Sequence, residues 1–332
     1  MIRLKIVISV LFVLLFFSCI KTTTSQKTGL QLNLTERRLN RLEEIRRTMV
    51  KVVCSAYYEN YYYINPSPRA KNATLEDLLY KKQLTTNSVS GSALILNRNP
   101  SNILLLSAYH IFDFADTIRV FYKDAEGNIT NDLQSIAIKY DQRIFITHHD
   151  GTRSLGHLIG YEERYDLALL ESKAAENQLL ENSFIAPFAK DDDLKFGKEA
   201  YLIGYPKGFL FISRGLISPA PYANKFMISA AFNRGFSGGI VMSFDEGKDS
   251  YIYLGMANSM AYDSQLVLAP DETLPRLDNF RNFPYSDNAY VRELKLVNYG
   301  LTFAVKAKII ADFLEKERER LRRLGFVLQN KL

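Results

Sequence analysis

Disulfide bonding, metal clustering and membrane crossing all find little material in this sequence. Its 332 residues hold two cysteines, Cys19 and Cys54. If Cys19 is consumed by processing of the N-terminus, Cys54 has no partner within the chain, and its setting, Val52-Val-Cys-Ser-Ala56, is that of an inert thiol in a buried first strand. Of four histidines, His148 and His149 are adjacent and point to opposite faces of a strand, and His157 brings no second ligand cluster. No metal or organic cofactor is expected. The apolar run Ile6–Phe17 is short of the ~20 residues that a spanning helix needs. Net charge is small: +6, or +4 once Arg3 and Lys5 leave with a leader, and dispersed, which argues against nucleic acid as a partner. Repeats and low-complexity tracts are not apparent. The 47% hydrophobic content is that of an ordinary globular protein.

What is present begins with a targeting pattern. Arg3 and Lys5 form a positive start, Ile6–Phe17 an apolar stretch, and Ser18-Cys19 ends it in the manner of a bacterial lipoprotein signal. Residues 1–19 are therefore expected to be a signal segment with Cys19 as the lipidated (palmitate-bearing) residue; ordinary secretion or an uncleaved anchor are the alternatives. Residues 20–49 read as a polar tether followed by a helix, with Asn33-Leu-Thr-Glu36 as its capping signal and Leu39, Leu42, Ile45 and Met49 at helical spacing. The aromatic run Tyr57–Tyr63 and the charged stretch to residue 90 suggest an early hairpin with a surface excursion. A last helix, about Lys306–Leu324 within 306–332, carries Ile309, Ile310, Phe313 and Leu314 on one stripe.

Three segments carry chemistry. Ala230-Ala-Phe-Asn-Arg-Gly-Phe-Ser-Gly-Gly239 places Ser237 in a glycine-rich turn. Gly235 reaches backbone angles barred to other residues, so its N–H and that of Ser237 can point at one oxygen, the requirement for stabilising a tetrahedral oxyanion. His110 follows a hairpin, Ala93–Leu96 and Ile103–Leu106 around the turn-rich 97–102. In Tyr165-Asp-Leu-Ala-Leu-Leu170 a carboxylate leads a strand that reads as buried; an ionised Asp there requires a partner, for which an imidazole N–H is suited. The order His110, Asp166, Ser237 is that of chymotrypsin rather than of subtilisin or the α/β-hydrolases.

With those residues in place the chain resembles the trypsin-like serine peptidases, and more closely their HtrA-type branch. Leu106-Ser-Ala-Tyr-His-Ile111, Asp166-Leu-Ala-Leu-Leu170 and Ala230–Gly239 resemble its histidine, aspartate and serine segments; Ile203-Gly-Tyr-Pro206, Gly215-Leu-Ile-Ser218 and Tyr299–Val305 resemble further family strands. The resemblance covers about residues 50–315. It implies an all-β fold of two antiparallel six-stranded β-barrels with an N-terminal and a C-terminal helix and a peptidase domain over 50–316; no PDZ domain is expected to follow, because the sequence ends soon after the terminal helix. It implies a triad of His110, Asp166 and Ser237, an oxyanion hole from Gly235 and Ser237, and a substrate pocket of Ala231, Phe232, Gly255, Met256 and Ala257, with Tyr253–Asn258 as the edge strand that pairs with substrate.

Departures accompany the matches. Arg234 and Ile240 replace prolines, Phe236 an Asn or Asp, and Tyr109 a small residue. Tyr109 and Phe236 are expected to add bulk beside the triad and to rearrange or partly cover the catalytic pocket. An alanine at 231 offers no counter-charge, so small or medium aliphatic side chains are expected before the scissile bond. Ala261–Tyr290 is expected to be an insertion, either a lid or an inert surface loop. The resulting expectation is an exported, envelope-anchored serine endopeptidase acting on proteins or peptides. The rivals are a catalytically inactive binding lipoprotein of the same fold and a surface adhesin.

Overall fold

Residues 36–65, 74–124, 127–174, 184, 186–269 and 290–328 are described by a computed structural model. The signal and tether calls on residues 1–35, Cys19 included, lie outside the described residues. Residues 36–47 form a helix, α1, whose Leu42 and Ile45 pack on the core. Two barrels follow. The first contains β1 (Met49–Tyr63), β2 (Leu79–Arg98), β3 (Asn102–Ser107), β5 (Ile129–Thr147), β6 (Arg153–Glu162) and β7 (Leu167–Lys173), in the ring order β1-β2-β3-β7-β6-β5, closed by pairing of β1 with β5. A short helix, α2 (Leu75–Leu78), leads into β2, and β4 (Thr117–Lys123) lies outside the ring on β5. The second barrel has the order β10-β13-β12-β11-β8-β9, from β8 (Glu199–Gly204), β9 (Phe211–Pro219), β10 (Lys225–Ile228), β11 (Ile240–Asp245), β12 (Ser250–Ala269) and β13 (Tyr290–Lys306). All ladder pairings are antiparallel, as the resemblance implied.

Apolar side chains explain both closures. Val50, Val52 and Cys54 on β1, Ile103 to Leu106 on β3 and Leu167 to Leu170 on β7 are buried, as are Leu202, Ile217, Phe226, Val241, Ile252 and Leu254 in the second barrel. β3 and β7 bury consecutive residues on both faces, which is why they read as unbroken apolar runs. The hairpin turn between β2 and β3 is set by Asn99, whose Oδ1 accepts the N–H groups of Ser101 and Asn102 at 2.9 and 2.7 Å.

Two elements differ from the sequence reading. The terminal helix is divided into α3 (Ala307–Lys316) and α4 (Arg318–Arg323). α3 leaves the second barrel through β13, whereas α4 ends on the first, where Asn99 Nδ2 and Asn97 Nδ2 donate to the carbonyls of Leu324 and Val327. The helical segment thus straps one barrel to the other. The supposed insertion at 261–290 is strand at both described ends: Ala261–Ala269 continues β12 and pairs with residues 290–298 of β13. Residues 270–289 lie outside the described set.

His148 lies just after β5 and is buried, while His149 is exposed. The Ser172 hydroxyl donates to the Leu155 carbonyl, so Ser154 Oγ donates to Ser172 Oγ, and His148 must donate from Nε2 to Ser154 Oγ at 3.0 Å. Nδ1 is then a buried acceptor with no partner among the described residues. This ring borders a cavity of about 640 Å³ with Asn102, Glu171 and Lys173, at the ends of β3 and β7 remote from His110 and Asp166. Burial holds the His148 pKa below its ordinary value, opposed by Asp150 and reinforced by Arg98 and His149. A folded-state pKa below the unfolded one means that the unfolded chain binds the extra proton, so stability is complete above roughly pH 6.5 and lost as pH falls. In urea titrations, wild type should lose up to about 1.4 kcal/mol per pH unit below that point relative to His148→Asn; parallel pH profiles for the two proteins would refute the assignment.

Candidate active site

β3 and β7 are neighbours, so their paired ends bring residues 107–111 next to 166–168. His110 sits on a single 3-10 turn, Tyr109–Ile111, directly after β3. Asp166 precedes β7 in the left-handed region, at φ 58° and ψ 46°. That conformation suits a short polar residue and lets one carboxylate take two bonds. Oδ1 accepts the His110 backbone N–H at 2.8 Å, and Oδ2 faces His110 Nδ1 at 2.8 Å. Tyr109 N–H also donates to the Asp166 carbonyl at 3.2 Å. Asp166 therefore fixes both the backbone and the ring of the histidine segment. Asn258 Nδ2 donates to Oδ2 at 3.3 Å, and the half-buried Lys225 ammonium is attracted by the same carboxylate. Burial keeps the Lys225 pKa below the usual lysine range, with Asp166 opposing.

Ser237 reaches this site from the second barrel. Its carbonyl accepts the N–H of Ser92 on β2 at 2.8 Å, and Gly238 N–H donates to Ala257, the neighbour of Asn258, at 2.9 Å. The point where a Cβ on Gly91 would stand is 2.2 Å from Ile111 Cδ1 and 2.9 Å from the Ser237 carbonyl oxygen, so the histidine and serine segments converge there. Ser237 Oγ has no hydrogen-bond partner among the described residues, His110 included. Free enzymes commonly show such loosened nucleophile–base contacts.

The peptide groups around Ser237 are almost all occupied. Phe236, Gly238 and Gly239 donate to Asn233, Ala257 and Phe236, while the carbonyls of Arg234 and Gly235 accept from Lys207 N–H at 2.9 Å and Ser92 Oγ at 2.7 Å. Among the described residues, the N–H groups of Gly235 and Ser237 donate to nothing. Because a trans peptide holds its C=O and N–H on opposite sides, the Arg234–Lys207 bond turns the Gly235 N–H away from Lys207. Gly235 has φ 105°, and a Cβ there would meet the Tyr205 carbonyl at 2.4 Å. Only glycine fits so close to that turn.

The two bulky departures do not cover the site. The Tyr109 ring stacks on Tyr161, centroids 4.5 Å apart, and Phe236 is buried against Phe232 and Phe211, close over Gly204. Among the pocket residues, Ala231 is exposed, whereas Phe232, Gly255, Met256 and Ala257 are buried. β12 is interior as far as Met256, between β11 and β13, and the Ala257 peptide is taken up by Gly238 and Gly239. The open edge of β12 starts at Asn258, which is beyond most of the stretch read from the sequence as substrate-pairing.

Ser92, Asn258 and Lys225 were missed in the sequence. Ser92 lies only one residue past Gly91 in a serine-rich strand, and nothing in its spacing marks it. It is fully buried and makes four bonds: N–H to Ser237, Oγ to the Gly235 carbonyl, Oγ from Tyr205 N–H at 2.8 Å, and its carbonyl from Ser107 Oγ at 2.7 Å.

Residues 91–248, which include His110, Asp166 and Ser237, match the model of the trypsin-like peptidase domain. Among solved structures, an HtrA-type protease with a decapeptide is similar at 15% identity and a TM-score of 0.47, over 85% of this chain and 66% of that one. The chain thus spans just under two thirds of that protein. No curated protein matches it.

Ser92→Ala removes a hydroxyl that serves one buried acceptor and one buried donor. The variant should unfold about 2–4 kcal/mol more easily, since each unsatisfied group costs about 1–3 kcal/mol. A urea midpoint within error of wild type would show that the hydroxyl does not hold the turn.

Proposed function

We propose that this protein is a serine endopeptidase. His110 acts as general base and then as general acid, Asp166 orients it through Nδ1 and stabilises the imidazolium, and Ser237 Oγ attacks the carbonyl carbon of the scissile bond. The tetrahedral oxyanion is met by the N–H groups of Gly235 and Ser237. Collapse expels the amine, which takes its proton from His110, and water then cleaves the acyl-enzyme by the same route. The observation that carries this reading is that the N–H groups of Gly235 and Ser237 donate to no described residue, while Phe236, Gly238 and Gly239 donate within the fold and the Gly235 and Ser237 carbonyls are held by Ser92. The exposed alanine at 231 supports small or medium aliphatic residues before the scissile bond.

A second reading, a protease-fold binding protein without turnover, draws on the absence of a Ser237–His110 hydrogen bond among the described residues. Ser237→Ala separates the two. It should lower kcat by roughly 10⁴ to 10⁶ on any peptide that wild type cleaves and abolish labelling by a fluorophosphonate probe. Absence of Ser237-dependent labelling and turnover in wild type would favour the binding protein.

The proposed location is the cell envelope, through lipid on Cys19. Among the described residues no helix is long and apolar enough to cross a membrane. Cys19→Ser should move the protein from the membrane to the soluble fraction, and mass spectrometry of a mature protein bearing an unmodified Cys19 would end the lipoprotein proposal.

A further inference from the structure

β2 is a 20-residue strand, but β3 covers its outer side only from Ala93 onward. Upstream, from Leu79 to Gly91, β2 pairs with β1 on one side and with no described strand on the other. Which backbone groups face outward follows from the register. Ser92 N–H points away from β1, to Ser237, and Ile95 N–H points towards the α1–β1 side, to Thr48. Side and parity alternate along a strand, and the β1–β2 register is unbroken from Leu94 to Lys81. Ser90, Ser88, Thr86, Leu84 and Lys82 therefore present their N–H and C=O groups outward, about 6.8 Å apart from one to the next. Lys82, Leu84, Thr86 and Ser88 are exposed.

This row of donors and acceptors, free among the described residues, starts two residues from the bond that holds Ser237. On the other side of Ser237 the open edge of β12 begins at Asn258. If one edge holds the acyl side of a bound peptide, the other is left for the leaving side. We infer that the β2 edge from Ser88 to Lys82 is an extended binding site for the substrate segment that follows the scissile bond, taken up as an added antiparallel strand over about ten residues. The inference rests on the peptidase reading for the identity of the occupant. The edge carries Lys81 and Lys82 at its far end and no carboxylate between Leu79 and Ser90, so an acidic residue near the tail's end fits best. Long open edges otherwise invite pairing with other chains.

The test uses peptides that share residues up to the second after the scissile bond, with Val before it and tails of two, six or ten residues ending in Glu. KM on wild type should fall about tenfold from the shortest tail to the longest, a modest gain because each hydrogen bond nets little and the tail must be ordered. Thr86→Pro deletes one outward N–H while Thr85 and Asn87 keep their bonds to β1, a position where an edge strand accepts proline. It should erase the gain with tail length and leave the two-residue tail unchanged; Thr86→Val should keep the gain. In parallel, a fluorescein-labelled ten-residue tail is titrated by anisotropy against the Ser237→Ala protein with and without Thr86→Pro, so that the edge is tested even without turnover. Binding abolished by the proline, with no hydrolysis by wild type, would sink the peptidase reading and leave the edge site standing. KM and binding that ignore tail length, or a gain that survives Thr86→Pro, overturn the site. So does a wild-type dimer that Thr86→Pro turns into a monomer in sedimentation, because a second copy would then be the occupant.

Discussion

The hydrogen bonds of Ser92 cross from the first barrel to the second, and the geometry at Ser237 depends on them. Its N–H positions the Ser237 carbonyl and its Oγ the Gly235 carbonyl, so the Gly235–Phe236 and Ser237–Gly238 peptides are oriented by one buried residue. The same Oγ accepts Tyr205 N–H, which locks the 205–207 turn against which Gly235 packs. Buried networks of this kind are stable only when every member is satisfied, because a lone donor or acceptor in the core costs more than a good bond returns. Gly238 completes the contact: a Cβ there would lie 2.0 Å from the Ser92 carbonyl, so no other residue allows the two chains to approach so closely.

The histidine side is arranged by a different force. Asp166 is charged, partly buried and placed in a backbone conformation that few residues adopt, all of which would be unfavourable without compensation. Compensation comes from two bonds to His110, one from Asn258 and the field of Lys225. Asn258 belongs to the same strand whose Ala257 carbonyl binds Gly238. A continuous path of bonded groups thus runs from Ser237 through Gly238, Ala257, Asn258 and Asp166 to His110, and no two neighbouring members can shift independently.

Much of the fold was legible because the patterns were local. Ile103 to Leu106 and Leu167 to Leu170 are short apolar runs bounded by turn residues, and the structure buries them on both faces. Gly235 announced its positive φ by its place two residues before Ser237. What escaped the sequence was set by tertiary context. Ser92 differs from Ser90 and Ser88 only in what lies across from it, and the bulk of Tyr109 and Phe236 goes to Tyr161 and to Gly204, contacts made by residues 32 or more positions away. The division at Glu317 reflects a helix that must serve two barrels, and the strand character of 261–269 reflects a partner at 290–298 that its composition did not advertise.

Strand ends explain why such a site suits an extended chain. A closed barrel has no free edges, yet both barrels here contain strands longer than their rings require. β12 and β2 continue past the point where a neighbour covers them, and the uncovered stretches begin at Asn258 and end at Gly91, on either side of Ser237. Backbone groups there are fixed in the extended conformation before any ligand arrives, so a polypeptide laid between them loses only its own conformational freedom. A compact small molecule would use few of these groups. The shape of the free edges therefore matches an extended ligand better than a compact one.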